Sequence, residues 1–147
     1  MNTREMKESD LRAWGERLGE SVRGGECFEL IGDVGAGKTT LTKGIALGMG
    51  VDEDVQSPTF TLSRIYETSR LSLHHYDFYR LQEPGVMSYE LAESLADPKA
   101  VTVVEWAETV EEVLPKDRIV ITLKYTPDGE ARIVSCDAPN SREYLSL

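Results

Sequence analysis

The chain has 147 residues, room for one compact domain with a sizeable core and little room for two. Its 40% apolar and 29% charged residues are ordinary for a soluble globular protein, and no window approaches the run of about eighteen apolar residues that a membrane span requires. Lys plus Arg is 16 against 26 Asp plus Glu, and the formal charge of −10 excludes the broad basic footprint of a stand-alone nucleic-acid binder. Docking on basic partner surfaces suits such a charge. The opening MNTREMKESDLR is charged where a signal peptide would be apolar. Cys27 and Cys136 form no C-x-x-C pair and read as inert buried thiols. The expected location is the cytoplasm.

The first predicted element is a helix capped by Ser9, with Leu11, Trp14 and Leu18 on one face. Arg23-Gly24-Gly25 ends it, and a short apolar strand follows over Glu26–Ile31. A glycine-rich turn leads into a helix from Lys38 to about Met49, where Leu41, Ile45 and Met49 recur at four-residue spacing and Gly50 stops it. Two extended segments, Thr59–Glu67 and Leu71–Tyr79, flank Thr68-Ser69-Arg70 and predict an antiparallel hairpin. Ser88–Leu95 reads as a helix broken by Asp97-Pro98. Val101–Glu105 is the next strand, and a short acidic helix follows over Glu108–Leu114. Strands near Arg118–Lys124 and Ala131–Asp137 are joined by a turn at Pro127-Asp128-Gly129. There is no repeat, linker or low-complexity segment. Residues 1–147 are therefore expected to form a single α/β domain whose central sheet is mixed, part parallel and part hairpin, flanked by helices.

GDVGAGKT, Gly32 to Thr39, fits G-x-x-x-x-G-K-[ST] at every fixed position, with a strand before it and a helix after it. Glycines let the backbone wrap closely around phosphates. Amide groups of the loop and helix start then point at the anion. Lys38 supplies a cation for the β- and γ-phosphates, and Thr39 offers a hydroxyl to Mg²⁺. A chance match arises in roughly one chain of this length in two hundred, and the strand-loop-helix setting makes accident rarer still.

A site of this kind needs a further carboxylate near the metal, usually an Asp at an adjacent strand end. Glu105 ends such a strand and is one methylene longer. Without the phosphate loop, a solvent-facing charge would explain it equally well. Asp77 is the next candidate, for positioning the attacking water or supporting the metal shell; closing a turn or pairing with Arg80 is the better reading on spacing alone. His74-His75 suggests zinc, but no Cys or third ligand lies at useful spacing. Ser57-Pro58-Thr59-Phe60-Thr61 occupies the place of a nucleotide-sensing loop, and an ordinary loop entering a strand fits the same residues. Trp106 either covers a nucleotide or seals the core.

Taken together, GDVGAGKTT (Gly32–Thr40), SPTFTL (Ser57–Leu62), HYDFYRL (His75–Leu81) and VVEW (Val103–Trp106) resemble the bacterial ATPase of tRNA threonylcarbamoyladenosine biosynthesis, the TsaE family. They stand in the family's order and at about its spacing. The resemblance implies a small mixed-sheet P-loop protein that binds ATP with Mg²⁺ and hydrolyses it slowly. It assigns nucleotide binding to Gly32, Asp33, Val34, Gly35, Ala36, Gly37, Lys38, Thr39 and Thr40, with a further contact near Lys7–Asp10. Thr39 and Glu105 are implied to serve Mg²⁺, and Lys38, Asp77 and Glu105 to act in hydrolysis. The implied partner is a heterodimer that transfers threonylcarbamoyl to adenosine in tRNAs reading codons that begin with A. Such a subunit reaches tRNA through that complex and resets it between turnovers.

Other classes share the same loop. A small-molecule kinase would need an acceptor pocket and an arginine-bearing lid, which is hard to find after Glu105. A GTP-dependent switch would need an N-K-x-D type sequence, which is absent. A nucleotide-dependent binding module without turnover is the non-enzymatic reading. Arg64, Arg70 and Arg80 all lie near the relevant segments, and none stands out as an arginine finger.

Overall fold

The computed structural model describes residues 2–58 and 61–147. It begins with a strand absent from the sequence reading, β1 (Asn2–Met6), which pairs antiparallel along the edge of the sheet. Only Met6 of this strand is buried, so no apolar alternation announces it. Helix α1 (Glu8–Ser21) starts after Lys7 and not after Ser9. The reason is Asp10, whose carboxylate reaches back to accept the Lys7 amide at 3.1 Å and fixes the first turn. Leu11, Trp14 and Leu18 form its buried face as the spacing predicts.

Strand β2 (Cys27–Ile31) and helix α2 (Lys38–Met49) flank the phosphate loop. Gly37 starts α2 at φ 112° and Gly50 ends it at φ 92°, both left-handed conformations that disfavour a side chain. β3 (Ser63–Glu67) and β4 (Ser72–Asp77) form the expected hairpin, shorter than predicted at both outer ends. Of the segment assigned to its start, Thr59 and Phe60 lie outside the described residues, and Leu62 turns at φ 67°. Helix α3 (Met87–Ala96) and strand β5 (Ala100–Glu105) follow, then a 3-10 helix over Ala107–Val113 where the acidic helix was expected. β6 (Ile119–Tyr125) and β7 (Arg132–Asp137) form the last hairpin. A second 3-10 helix, Asn140–Leu145, was not foreseen.

The sheet has seven strands in the order β1-β7-β6-β2-β5-β4-β3. The central four, β6, β2, β5 and β4, run parallel, and the outer pairs are antiparallel. Alternation along the strands sends Phe28, Leu30, Val101 and Val103 into one core with α1 and α2. Cys27, Tyr76 and Val104 enter the other, with α3 and the first 3-10 helix. The phosphate loop thus leaves the middle of the sheet, at the C-terminal ends of the parallel strands, where α/β proteins form their ligand crevices.

Candidate active site: a phosphate loop facing two strand-end carboxylates

The phosphate loop is held by groups from distant parts of the chain. The Tyr125 hydroxyl donates to the Gly35 carbonyl, and Arg132 Nε donates to the Ala36 carbonyl at 3.0 Å. The Arg132 guanidinium also lies 4.2 Å from the centre of the Tyr125 ring, so the β6–β7 hairpin forms a strap on the loop. Leu11 of α1 fills the space beside Gly37, where an added Cβ would meet its Cδ2 at 2.8 Å. Sequence reasoning missed Tyr125 and Arg132. Nothing in their local pattern marks them, because the loop they hold is some ninety positions away.

Lys38 folds back over the loop. Its Nζ donates to the Gly32 carbonyl at 2.6 Å, lies 3.8 Å from the centre of the Trp106 ring and stands 3.9 Å from Glu105 Oε1. Burial draws its pKa below the ordinary lysine value, and the carboxylates of Glu105, Asp77, Asp33 and Glu108 oppose that shift. Trp106, left unassigned by its sequence, is held at φ 54° with its ring 4.8 Å from that of Tyr79. That backbone conformation is costly for a non-glycine residue. It turns the indole toward the lysine that the phosphates would meet.

Parallel pairing of β4 with β5 sets Asp77 directly beside Glu105. Both carboxylates are buried. Glu105 Oε2 and His75 Nε2 stand at hydrogen-bonding distance, 2.6 Å apart. Asp77 Oδ2 accepts from the Ser57 hydroxyl at 2.7 Å, and its Oδ1 accepts from the Tyr79 amide at 3.1 Å. Asp77 therefore closes a turn and faces the pocket, so the two readings of it are compatible. Ser57 ties the loop between α2 and β3 to the same carboxylate.

Lys38, Trp106, Asp77 and Glu105 line one pocket of about 410 Å³. Val34, Gly35, Gly37, Lys38, Thr39 and Thr40 form its phosphate-loop side, and Ser57, Asp77 and Glu105 line it as well. Of the three arginines near the relevant segments, Arg80 lines this pocket. Arg70 lines another pocket at the β3–β4 turn, and the Arg64 guanidinium rests 5.4 Å from the Tyr66 ring centre on β3. A smaller cavity of about 200 Å³ shares Lys38 and Trp106 and extends along Glu29, Thr122 and Lys124. The donors at the larger pocket are hydroxyl and carboxylate oxygens from Thr39, Asp77 and Glu105, a hard set that fits Mg²⁺. Among the described residues, no group of three or more His, Cys, Asp or Glu is placed to hold a metal by itself. No helix there is long and apolar enough to cross a membrane.

A central parallel strand, a G-x-x-x-x-G-K-T loop and a helix begun by the loop's last glycine define a P-loop α/β protein. The family model for the threonylcarbamoyl adenosine biosynthesis protein TsaE matches residues 5–134. The chain belongs to the TsaE family. It is 40% identical over 122 residues to the tRNA threonylcarbamoyladenosine biosynthesis protein TsaE of Bacillus subtilis, covering 82% of this chain and 75% of that protein. It is 38% identical over 144 residues to the Mycobacterium leprae protein of the same name, covering 91% and 88%. The crystal structure of YdiB from Bacillus subtilis superposes with a TM-score of 0.74 at 32% identity, covering 99% of this chain and 93% of that one.

Proposed function

We propose that the chain binds ATP with Mg²⁺ and hydrolyses it slowly, as a cytoplasmic subunit needed for threonylcarbamoyladenosine modification of tRNAs reading codons that begin with A. It acts on the transferase heterodimer of that pathway, and through it on tRNA. The observation that carries the reading is the convergence of Lys38, Thr39, Asp77 and Glu105 on one pocket. Family membership directs it to this pathway.

Loop amides receive the phosphate oxygens, and Lys38 exchanges the Gly32 carbonyl for the β- and γ-phosphates. Thr39 and Glu105 would hold Mg²⁺, which when bound would supply positive charge to offset the phosphate negative charge. Asp77, fixed by Ser57 and the Tyr79 amide, orients the water in line with the γ-phosphorus. A new bond forms from that water oxygen to phosphorus. The bond to the β-phosphate oxygen breaks, ADP leaves with the electron pair, and the water proton goes to phosphate or carboxylate oxygen.

Calorimetry with ATP and Mg²⁺, and phosphate release with and without the purified heterodimer, test this reading. Expected are ATP binding lost in Lys38→Ala, slow turnover by the chain alone, and faster turnover with co-elution when the heterodimer is added. No ATP binding, or no effect of the heterodimer and no co-elution, overturns it. The second cavity beside Lys38 favours one other reading, a small-molecule kinase with its acceptor there. Phosphate transfer that depends on an added acceptor would select it over hydrolysis.

A further inference from the structure

We infer that His75 is a positioning residue that restrains Glu105 and dedicates one of its two oxygens to the pocket. His75 is fully buried, and its Nε2 lies 2.6 Å from Glu105 Oε2. Its Nδ1 has no hydrogen-bond partner among the described residues. A proton on Nδ1 would leave an orphaned buried N–H, whereas an unprotonated Nδ1 leaves only an acceptor unused. The network therefore assigns the proton to Nε2, donated to the carboxylate. With Oε2 occupied, Oε1, which stands 3.9 Å from Lys38 Nζ, is the oxygen available to an ion or water in the pocket.

The longer side chain explains why a restraint is useful. Glu has one more rotatable bond than the Asp usual at such strand ends, so an unrestrained Glu105 would spread its carboxylate over several positions. Register supplies the restraint from the same strand that supplies Asp77. His75 pairs with Val103 and Asp77 with Glu105, so His75 and Asp77 share one face of β4, and from that face His75 reaches the carboxylate at the end of β5. A partner that orients a ligand in this way typically affects metal affinity or activity by about 10- to 100-fold.

The inference rests on the ATPase reading for the role of Glu105, but its geometry is tested separately. His75→Leu removes the donor, and His75→Gln keeps an N–H near the position of Nε2. Expected for His75→Leu is a fall in kcat of about 10-fold or more, a similar rise in the Mg²⁺ concentration needed for half-maximal nucleotide binding, and an ATP affinity at saturating Mg²⁺ within about 2-fold of the parent. His75→Gln should restore most of both losses. Independently, nitrogen-15 NMR of the unliganded parent protein should show His75 protonated at Nε2, with that resonance displaced in Glu105→Ala. Parent-like kcat and Mg²⁺ dependence in His75→Leu would overturn the inference, as would His75→Gln performing no better than His75→Leu. If His75→Leu does not fold, the NMR result decides: an Nδ1-protonated ring, or a signal unmoved by Glu105→Ala, overturns it. A parent protein that binds no ATP but shows the Nε2 signature would sink the ATPase reading and leave the His75–Glu105 coupling standing.

Discussion

Lys38 is both the residue most readily read from the motif and the one whose surroundings most change its chemistry. Burial lowers its pKa from the ordinary 10.5. Phosphates of a bound nucleotide would raise it again, because anions favour the ammonium form. Nucleotide affinity should therefore fall as pH rises through the lowered value, with net proton uptake on binding in that range. Folding stability should move the other way. Between the lowered folded value and 10.5 the unfolded chain holds more protons at this residue, so stability gains with rising pH. Calorimetry in two buffers of different ionisation enthalpy measures the uptake, and melting of the parent against Lys38→Met isolates the stability slope. A parent protein that takes up no proton on nucleotide binding at any pH below the ordinary 10.5 would contradict the buried, depressed ammonium.

Helices α1 and α2 are pressed together through glycine. A Cβ on Gly44 would stand 2.5 Å from the Arg12 carbonyl oxygen, and one on Gly15 would stand 2.8 Å from that of Leu41; Gly19 and Gly48 leave still less room. Backbone meets backbone, so no flexible side chain can yield. Gly44→Ala should therefore destabilise the fold by roughly 3 kcal/mol despite alanine's better helix propensity, read as a lower urea midpoint at unchanged slope. A neutral or stabilising alanine would mean the helices are free to part. These glycines show where the sequence falls silent. Gly15, Gly19, Gly44 and Gly48 are plain in the sequence, but glycine inside a helix reads as weakness, and the surface it fits belongs to another element. Strand β2, helix α2 and their loop were legible because strand, turn and helix signals follow one another within a single short segment. β1 was not, because four of its five residues are exposed. Asp77 and Glu105 were legible as strand-end carboxylates. Their adjacency came from the register of β4 on β5, and the bond from His75 from two side chains meeting across those strands.

At the scale of the molecule, the two ends of the sheet divide the work. The candidate chemistry gathers at the C-terminal ends of the parallel strands, around the loop that follows β2. At the opposite end, just before β2 begins, buried Glu26 anchors the C-terminal segment. Its carboxylate accepts the Arg23 amide at 2.6 Å, the Gly24 amide at 2.7 Å and the Tyr144 hydroxyl at 2.8 Å. The Arg23 guanidinium lies 3.9 Å from the centre of the Tyr144 ring, and Arg142 pairs with Asp117 at 3.4 Å. Tyr144→Phe keeps the ring and its cation contact but removes one donor from a buried carboxylate that retains two others. The expected cost is about 1–2 kcal/mol of folding stability, since hydrogen bonds to charged groups contribute more than neutral ones. ATP affinity should stay at the parent value, because β2 lies between the altered contact and the pocket and its pairing with β5 and β6 is untouched. Chemical denaturation and calorimetry on the same sample measure the two quantities. Weaker ATP binding in Tyr144→Phe, under conditions where the protein remains folded, would show that the C-terminal clamp and the phosphate loop are coupled through β2. The sheet would then act as a lever between its ends.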